Sequence, residues 1–238
     1  MIIFKPLIWF SHKVKAAHGL PLVIFLLIYL AWFHLIEVIP RKRYMTIILP
    51  IDRKIPFCEL FVVPYLSWFC YIAVGCFLLY YLDRHAFDGV TTYLMIGMSL
   101  FLLVSTFLPN RQPLRLLEMP RDNFFTALVA KVWRTDTPTN VWPSIHVFNS
   151  LAVESWMLRS DHHFFKKNWV RATGLIWCVL ICFSTVLIKQ HSLFDVITAV
   201  LAIAACYLYV VICQQVFHFP KWDAWCKSLE RRYLRDGE

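Results

Sequence analysis

The stretch WVRATGLIWCVLICFSTVL (residues 169–187), IKQHSLFD (188–195) and VITAVLAIAACYLYVVI (196–212) decides the fold. A helix needs about 20 apolar residues to cross the hydrocarbon core of a bilayer, and each outer run is close to that length. Between them Lys189, His191 and Asp195 stand at the mouth of a span. Ionisable groups there are costly and usually have a function. Placed on a helix, His191 and Asp195 are four apart and share a face. A carboxylate in that place holds one imidazole nitrogen and leaves the other free to attack or to move a proton.

Working outward, the same reading extends to the whole chain. Of its 238 residues 59% are hydrophobic and only 16% charged, which is too apolar for a water-soluble domain. The mean hydropathy is +0.58, and the apolar residues come in long blocks without the even alternation of a membrane barrel. The expectation is an all-α polytopic membrane protein, one domain over residues 1–238. The first apolar run ends in Glu37 with no small-residue cleavage site, so it is expected to remain as a span. The eight cysteines contain no C-x-x-C pair and read as small buried hydrophobes. The net charge of +9 suits anionic lipid headgroups or phosphates. Nucleic acid is not expected, because the basic residues are scattered over loops on both sides of the spans.

Six spans are predicted, roughly 20–37, 57–82, 90–108, 143–158, 169–188 and 192–216. Residues 1–17 read as an interfacial segment and 217–238 as a solvated basic cytoplasmic tail. Residues 38–56 carry prolines and two basic clusters and should not cross. The long third loop, 109–142, contains NFFTALVAKVW (123–133), whose helical spacing predicts an interfacial segment. The fourth span is short and holds Asn149 and Glu154, so it should be packed in protein. With six crossings both termini share one side. The basic residues are split almost evenly, and a slight excess places the termini in the cytoplasm.

This topology brings His146, near the start of the fourth span, to the membrane face that holds His191. The loop with Arg111, Arg115, Arg121, Lys131 and Arg134 opens there too. The helix N-termini near Pro143 and Ser192 also point to that face and favour anions. Arg and Lys can neutralise phosphoryl oxygens. A histidine oriented by a carboxylate can attack phosphorus, and a second, with an ordinary pKa near 6.5, can protonate the departing alkoxide. Each residue also has a plainer reading. His191 and Asp195 can be a helix-packing pair, His146 a satisfied core histidine, Pro143–Ser144 a simple helix opening, and the arginines a lipid-facing loop. Their coincidence at one face favours a site.

Pro143-Ser144-Ile145-His146 resembles the P-S-x-H motif of the type-2 phosphatidic acid phosphatase (lipid phosphate phosphatase) and vanadium haloperoxidase superfamily. Ser184, His191 and Asp195 resemble its third motif, S-R-x5-H-x3-D, with both gaps matching. The first motif, K-x6-R-P, is degenerate. Arg115 in NRQPLRL stands for its arginine, Leu116 replaces its proline, and Asn110 and Gln112 are expected in the same site, with Asn110 on the phosphate. The resemblance covers roughly residues 105–200. It implies a six-helix core with the site at the outer membrane face. It further implies His191 as nucleophile, Asp195 as its orienting group and His146 as general acid, with Ser144 and Arg115 on the phosphate. Thr185 stands where the third motif has arginine, and we read Lys189 as a replacement phosphate ligand beside Ser184. The string Lys189-Gln190-His191 also resembles the branch containing inositol phosphorylceramide synthases.

The resulting expectation is a plasma-membrane enzyme that hydrolyses a phosphate monoester or diphosphate of a lipid through a phosphohistidine. No metal and no cofactor is expected, and the partners are the phosphorylated lipid and the bilayer. Two alternatives stand beside it: transfer of a phosphoryl headgroup to an alcohol, and a non-catalytic lipid- or anion-binding membrane protein.

Overall fold

The computed structural model describes residues 4–39, 41–212 and 220–235, with side chains from Ala17 onward save Val211, Ile212, Glu230, Tyr233, Leu234 and Arg235. Helices dominate: α1 (Phe4–Val38), α2 (Val62–Leu82), α3 (Arg84–Phe107), α4 (Phe124–Thr135), α5 (Ile145–Arg159), α6 (Asn168–Leu187), α7 (Leu193–Tyr207) and α8 (Pro220–Arg235). The only paired strands among the described residues are β1 (Met45–Thr46) and β2 (Asn110–Arg111), two residues each and parallel.

Five helical stretches are long and apolar enough to cross a membrane: Ala17–Val38, Glu59–Leu82, Arg84–Phe107, Asn168–Leu187 and Leu193–Val210. Their outward faces carry large apolar side chains such as Leu27, Phe69, Phe77, Ile176 and Leu201, all exposed. Contiguous exposed apolar surface of this kind is what lipid covers.

Helix α5 is not one of the five. Its 15 residues span about 22 Å at 1.5 Å per residue, short of the ~30 Å hydrocarbon core. It is instead the central helix, packed on α2, α3, α6 and α7. Asn149 and Glu154 are both 3% exposed, as expected for a protein-packed segment. Glu154 accepts a hydrogen bond from the Tyr71 hydroxyl at 2.8 Å. Close approach to α3 depends on two glycines. A Cβ at Gly97 would lie 2.1 Å from the Phe148 ring, and one at Gly89 2.2 Å from the Trp156 ring. The two glycines are eight apart in α3, about two turns, and each leaves room for one aromatic ring of α5.

The chain ends differ from the sequence expectation. The backbone from Phe4 is continuous with the first apolar span in a single helix, so no break separates an interfacial segment from it. The side chains of that segment lie outside the described residues, as do residues 213–219 at the end of the sixth predicted span. The C-terminal segment is not a solvated tail. It forms α8, which docks on α1, with Cys226 buried and Asp223 3.7 Å from His18 Nδ1. The amphipathic pattern explains this, since Trp222, Trp225 and Cys226 interrupt the basic residues at helical spacing. His18 is also hydrogen-bonded to Arg84. In the third loop the segment expected to be helical forms α4, opened by a reciprocal capping box between Asn123 and Thr126.

Candidate functional site

The site is built where α6 ends and α7 begins. The Thr185 carbonyl accepts both Gln190 N (3.0 Å) and His191 N (2.9 Å), which stops α6 and turns the chain. Lys189 takes a left-handed φ of 57° at that turn, a place usually given to glycine. Such a conformation costs an L-residue roughly 1–2 kcal/mol. Lys189 is 5% exposed, and its ammonium donates to the carbonyls of Asp52, at 3.0 Å, and Ile55. Burial holds the ammonium below the ordinary lysine pKa, opposed by the Asp52 charge. The residue read as a phosphate ligand therefore spends two of its three donors on backbone.

Ser192 caps α7. Its hydroxyl accepts Phe194 N at 3.1 Å, and the Asp195 carboxylate reaches back to Ser192 N at 3.0 Å. The same oxygen of Asp195 lies 3.3 Å from His191 Nδ1. His191 stands before the helix, not on it, so the spacing of four is realised by a capping box instead of a shared helical face. With Nδ1 facing Asp195, Nε2 is the ring nitrogen left for chemistry. A second carboxylate completes the junction from 140 residues away: Asp52 Oδ2 accepts the Ser192 hydroxyl at 2.6 Å, and Oδ1 accepts Leu193 N at 2.7 Å. The N-terminus of α7, expected to be open to an anion, is thus filled by Asp52 and Asp195.

The start of α5 is fastened to this junction. Ser144 N donates to the Asp195 carbonyl at 3.4 Å, and Trp142 Nε1 donates to Thr198 Oγ1 at 2.8 Å. Asn110, fully buried, accepts Val141 N (2.8 Å) and Trp142 N (3.0 Å) and donates to the Leu108 carbonyl (3.0 Å). It clamps the segment leading to Ser144, and its side-chain oxygen is used within the protein. Ser144 Oγ caps α5 through Val147 N at 3.4 Å. The result places the His146 ring 5.6 Å from the His191 ring, centre to centre, and edge-on. Tyr65 and Trp68 of α2 wall the other sides of His146, at 4.6 and 4.3 Å. His146 Nδ1 is buried with no protein partner.

Arg115 enters from the loop after β2. Its Nη1 donates to the Trp133 carbonyl (2.6 Å), and Nη2 to the Asp136 carbonyl (2.5 Å) and Gln190 Oε1 (2.7 Å). Burial lowers its pKa, opposed by Asp136 and Tyr65. Gln190 Nε2 in turn donates to Asp136 Oδ2 at 2.9 Å, where the Tyr65 hydroxyl also donates at 3.0 Å. Crowding by protein pushes the Asp136 carboxyl above the usual aspartate value, opposed by the His191 charge, the Tyr65 hydrogen bond and Arg115. Gln112 holds the turn from below by donating to the carbonyls of Lys189 (2.9 Å) and Gln190 (3.1 Å).

Of the residues expected from sequence, the structure brings together His191, Asp195 and His146, with Ser144 bonded to the Asp195 backbone and Arg115 linked through Gln190. Asn110 and Lys189 support the backbone around them. Ser184 does not meet the cluster through its hydroxyl, which is buried and donates to the Ile181 carbonyl of its own helix at 2.6 Å. Arg121, counted with the converging loop, pairs with Glu59 at 2.6 Å. Sequence reading missed Asp52, Tyr65, Asp136 and Gln190. A signal existed for Asp52, the lone acid between Glu37 and Glu59 in a proline-flanked, otherwise basic stretch, and none for the other three. No family model, curated protein or solved structure matches the chain.

Proposed function

We propose that the chain is an integral membrane lipid phosphatase of the type its motifs resemble. The observation that carries this reading is the buried His191–Asp195 pair, 3.3 Å apart, with the His146 ring 5.6 Å from His191. Buried ionisable groups that converge between apolar helices are costly and seldom only structural.

In this reading His191 Nε2 attacks the phosphorus of a lipid phosphate in line with the leaving oxygen. The P–O bond breaks as the N–P bond forms, and His146 gives its proton to the departing alkoxide. Asp195 stabilises the charge that develops on His191. Water then attacks the phosphohistidine, His146 takes its proton as base, and inorganic phosphate leaves. Arg115 lies on the phosphate side. The short helix α5 would be a sixth crossing, with α4 at the membrane surface. Both termini would be cytoplasmic and the site would open at the outer face of the plasma membrane.

A second reading has support of its own. The Asp136 carboxylate lies near His191, and Arg115 spends three of its five donors on the protein, so the surroundings of His191 keep few free cationic donors. That suits a phosphodiester headgroup transferred from His191 to an alcohol.

The test is phosphate release from a panel of lipid phosphates by purified protein, with and without a chelator and with and without added alcohols. Chelator-insensitive release that disappears in His191→Ala is the expected result. Turnover only with an alcohol favours the second reading, and equal release by wild type and His191→Ala overturns both.

A further inference from the structure

We propose that the cavity between α1, α3 and α8 binds one phospholipid whose headgroup joins a phosphate to a primary ammonium. This site is separate from the two-histidine cluster and does not depend on its chemistry.

The cavity lies at the opposite end of the helices. α3 begins there at Arg84, and its 24 residues run about 36 Å to Phe107, close to the Asn110 clamp that precedes His146. The apolar spans in α1 and α3 both start at the cavity, at Ala17 and Arg84. Its mouth therefore stands at one edge of the hydrocarbon core, the depth at which lipid headgroups sit.

The lining changes character with depth. Arg84 and Asp88 of α3, His18 of α1 and Asp223 of α8 surround the mouth, and about 480 Å³ of space extends past Phe87 to Leu22 and Met95. Along α3 the residues Arg84, Asp88, Thr91 and Met95 follow at helical spacing, so one face passes from charge through a hydroxyl to an apolar side chain. The Thr91 hydroxyl is buried with no protein partner, a donor suited to an ester carbonyl. A volume of this size takes a small molecule, and the gradient from charged to apolar matches a lipid better than a soluble ion.

The charges select the headgroup. Arg84 Nε donates to Asp88 Oδ1 at 3.0 Å, and Nη2 donates to His18 Nδ1. Three of the five N–H groups of Arg84 are left, enough for two phosphate oxygens. A nitrogen that accepts from guanidinium carries no proton, so the His18 ring is neutral. Asp223 Oδ1 lies 3.7 Å from His18 Nδ1, too far for a hydrogen bond, and its side chain is 40% exposed. Asp88 balances Arg84, which leaves Asp223 as the surplus charge among the lining residues. A phosphate on Arg84 is therefore accommodated when the same molecule brings a cation to Asp223. A primary ammonium donates hydrogen bonds to that carboxylate. A trimethylated nitrogen has no N–H to give, and a headgroup with no cation adds only repulsion.

Full-length protein in nanodiscs is offered equimolar ethanolamine, choline and glycerol phospholipids with identical acyl chains, and the retained lipid is read by native mass spectrometry. Wild type should keep the ethanolamine lipid about tenfold over each of the others, the scale of one charge-assisted hydrogen bond. Asp223→Asn should remove the preference over the choline lipid, and Asp223→Glu should keep it. Arg84→Gln should lower retention of all three. An ethanolamine lipid with a diazirine in its acyl chain should label α1 near Leu22 and α3 near Met95. Soluble phosphoethanolamine at the same concentration should fail to displace it. Equal retention of ethanolamine and choline lipids by wild type overturns the proposal, as does a preference that survives in Asp223→Asn. Labelling confined to other helices, or displacement by soluble phosphoethanolamine, overturns it too. Should Asp223→Asn also release α8, seen as faster hydrogen exchange in residues 220–235, the wild-type ratio and the labelled positions still decide.

Discussion

The carboxylate of Asp52 accepts the hydroxyl of Ser192 at 2.6 Å, which joins the loop after α1 to the first residue of the α7 junction. Asp52 is 1% exposed and also takes Leu193 N, so it acts as a cap supplied from a distant segment. Ser192 holds the backbone between His191 and Asp195. The geometry of that pair therefore depends on a residue in neither motif.

Replacing Asp52 with Ala should destabilise the fold by roughly 1–3 kcal/mol, the cost of leaving buried donors without an acceptor. Thermal unfolding in detergent checks this. Asp52→Asn should cost less, because one oxygen remains to accept. If Asp52→Ala melts like wild type, the remote cap contributes nothing.

Phosphoryl transfer should respond differently to the two histidines. His191→Ala should lose activity by ~10³-fold or more and give no trapped phosphohistidine. His146→Ala should lose about 10²–10⁴-fold with a lipid alkoxide as leaving group. It should lose much less with a p-nitrophenyl phosphate ester, whose leaving group needs no proton. Comparison of the two substrates in each variant reads out the assignment.

Lys189 separates a structural role from a ligand role. Its ammonium is bonded to carbonyls, so Lys189→Met should lower stability more than it raises KM. Stability should also carry a pH signature. The folded-state pKa of Lys189 is lowered by burial, so between that value and the unfolded value near 10.4 the unfolded chain binds more protons. Unfolding free energy contributed by this group should rise with pH through that window. The rise should be absent from denaturant titrations of Lys189→Met, and its persistence there would assign it to another group.

The α3–α5 groove predicts a steric effect. Gly97→Ala puts a Cβ 2.1 Å from the Phe148 ring, closer than real contacts allow. Overpacking of this kind costs about 1–3 kcal/mol. Phe148→Leu in the same chain should recover part of the loss, and a double-mutant cycle measured by thermal unfolding gives the coupling.

Some of these relationships were legible in the sequence because they are local. The spacing of His191 and Asp195 anticipated their contact, although the capping box at Ser192, not a shared helix face, produces it. The protein-packed character of α5 followed from Asn149 and Glu154 in a run too short for lipid. The docking of α8 was not read, because a basic segment with interspersed tryptophans fits a solvated tail as well as an amphipathic helix until a partner face is known.

Roles within the cluster were less legible. Lys189, Asn110 and Ser184 are polar residues in plausible places, yet their donors and acceptors are taken by nearby backbone. Periodicity cannot reveal that, since the choice between substrate and carbonyl depends on where the chain passes. Lys189 turned toward residues 52–55 only because the segment after α1 folds under the α6–α7 turn.

By itself the sequence determined the helical, membrane-compatible class and the cluster of ionisable residues at one turn, because hydropathy and i, i+4 spacing are properties of contiguous residues. Only the tertiary structure decided that Asp52 caps α7, that Tyr65 and Gln190 converge on Asp136, and that His146 faces His191. Those contacts join residues 45 to 140 positions apart. The physical reason is that each buried donor must find an acceptor wherever packing brings one, and packing is a property of the whole chain.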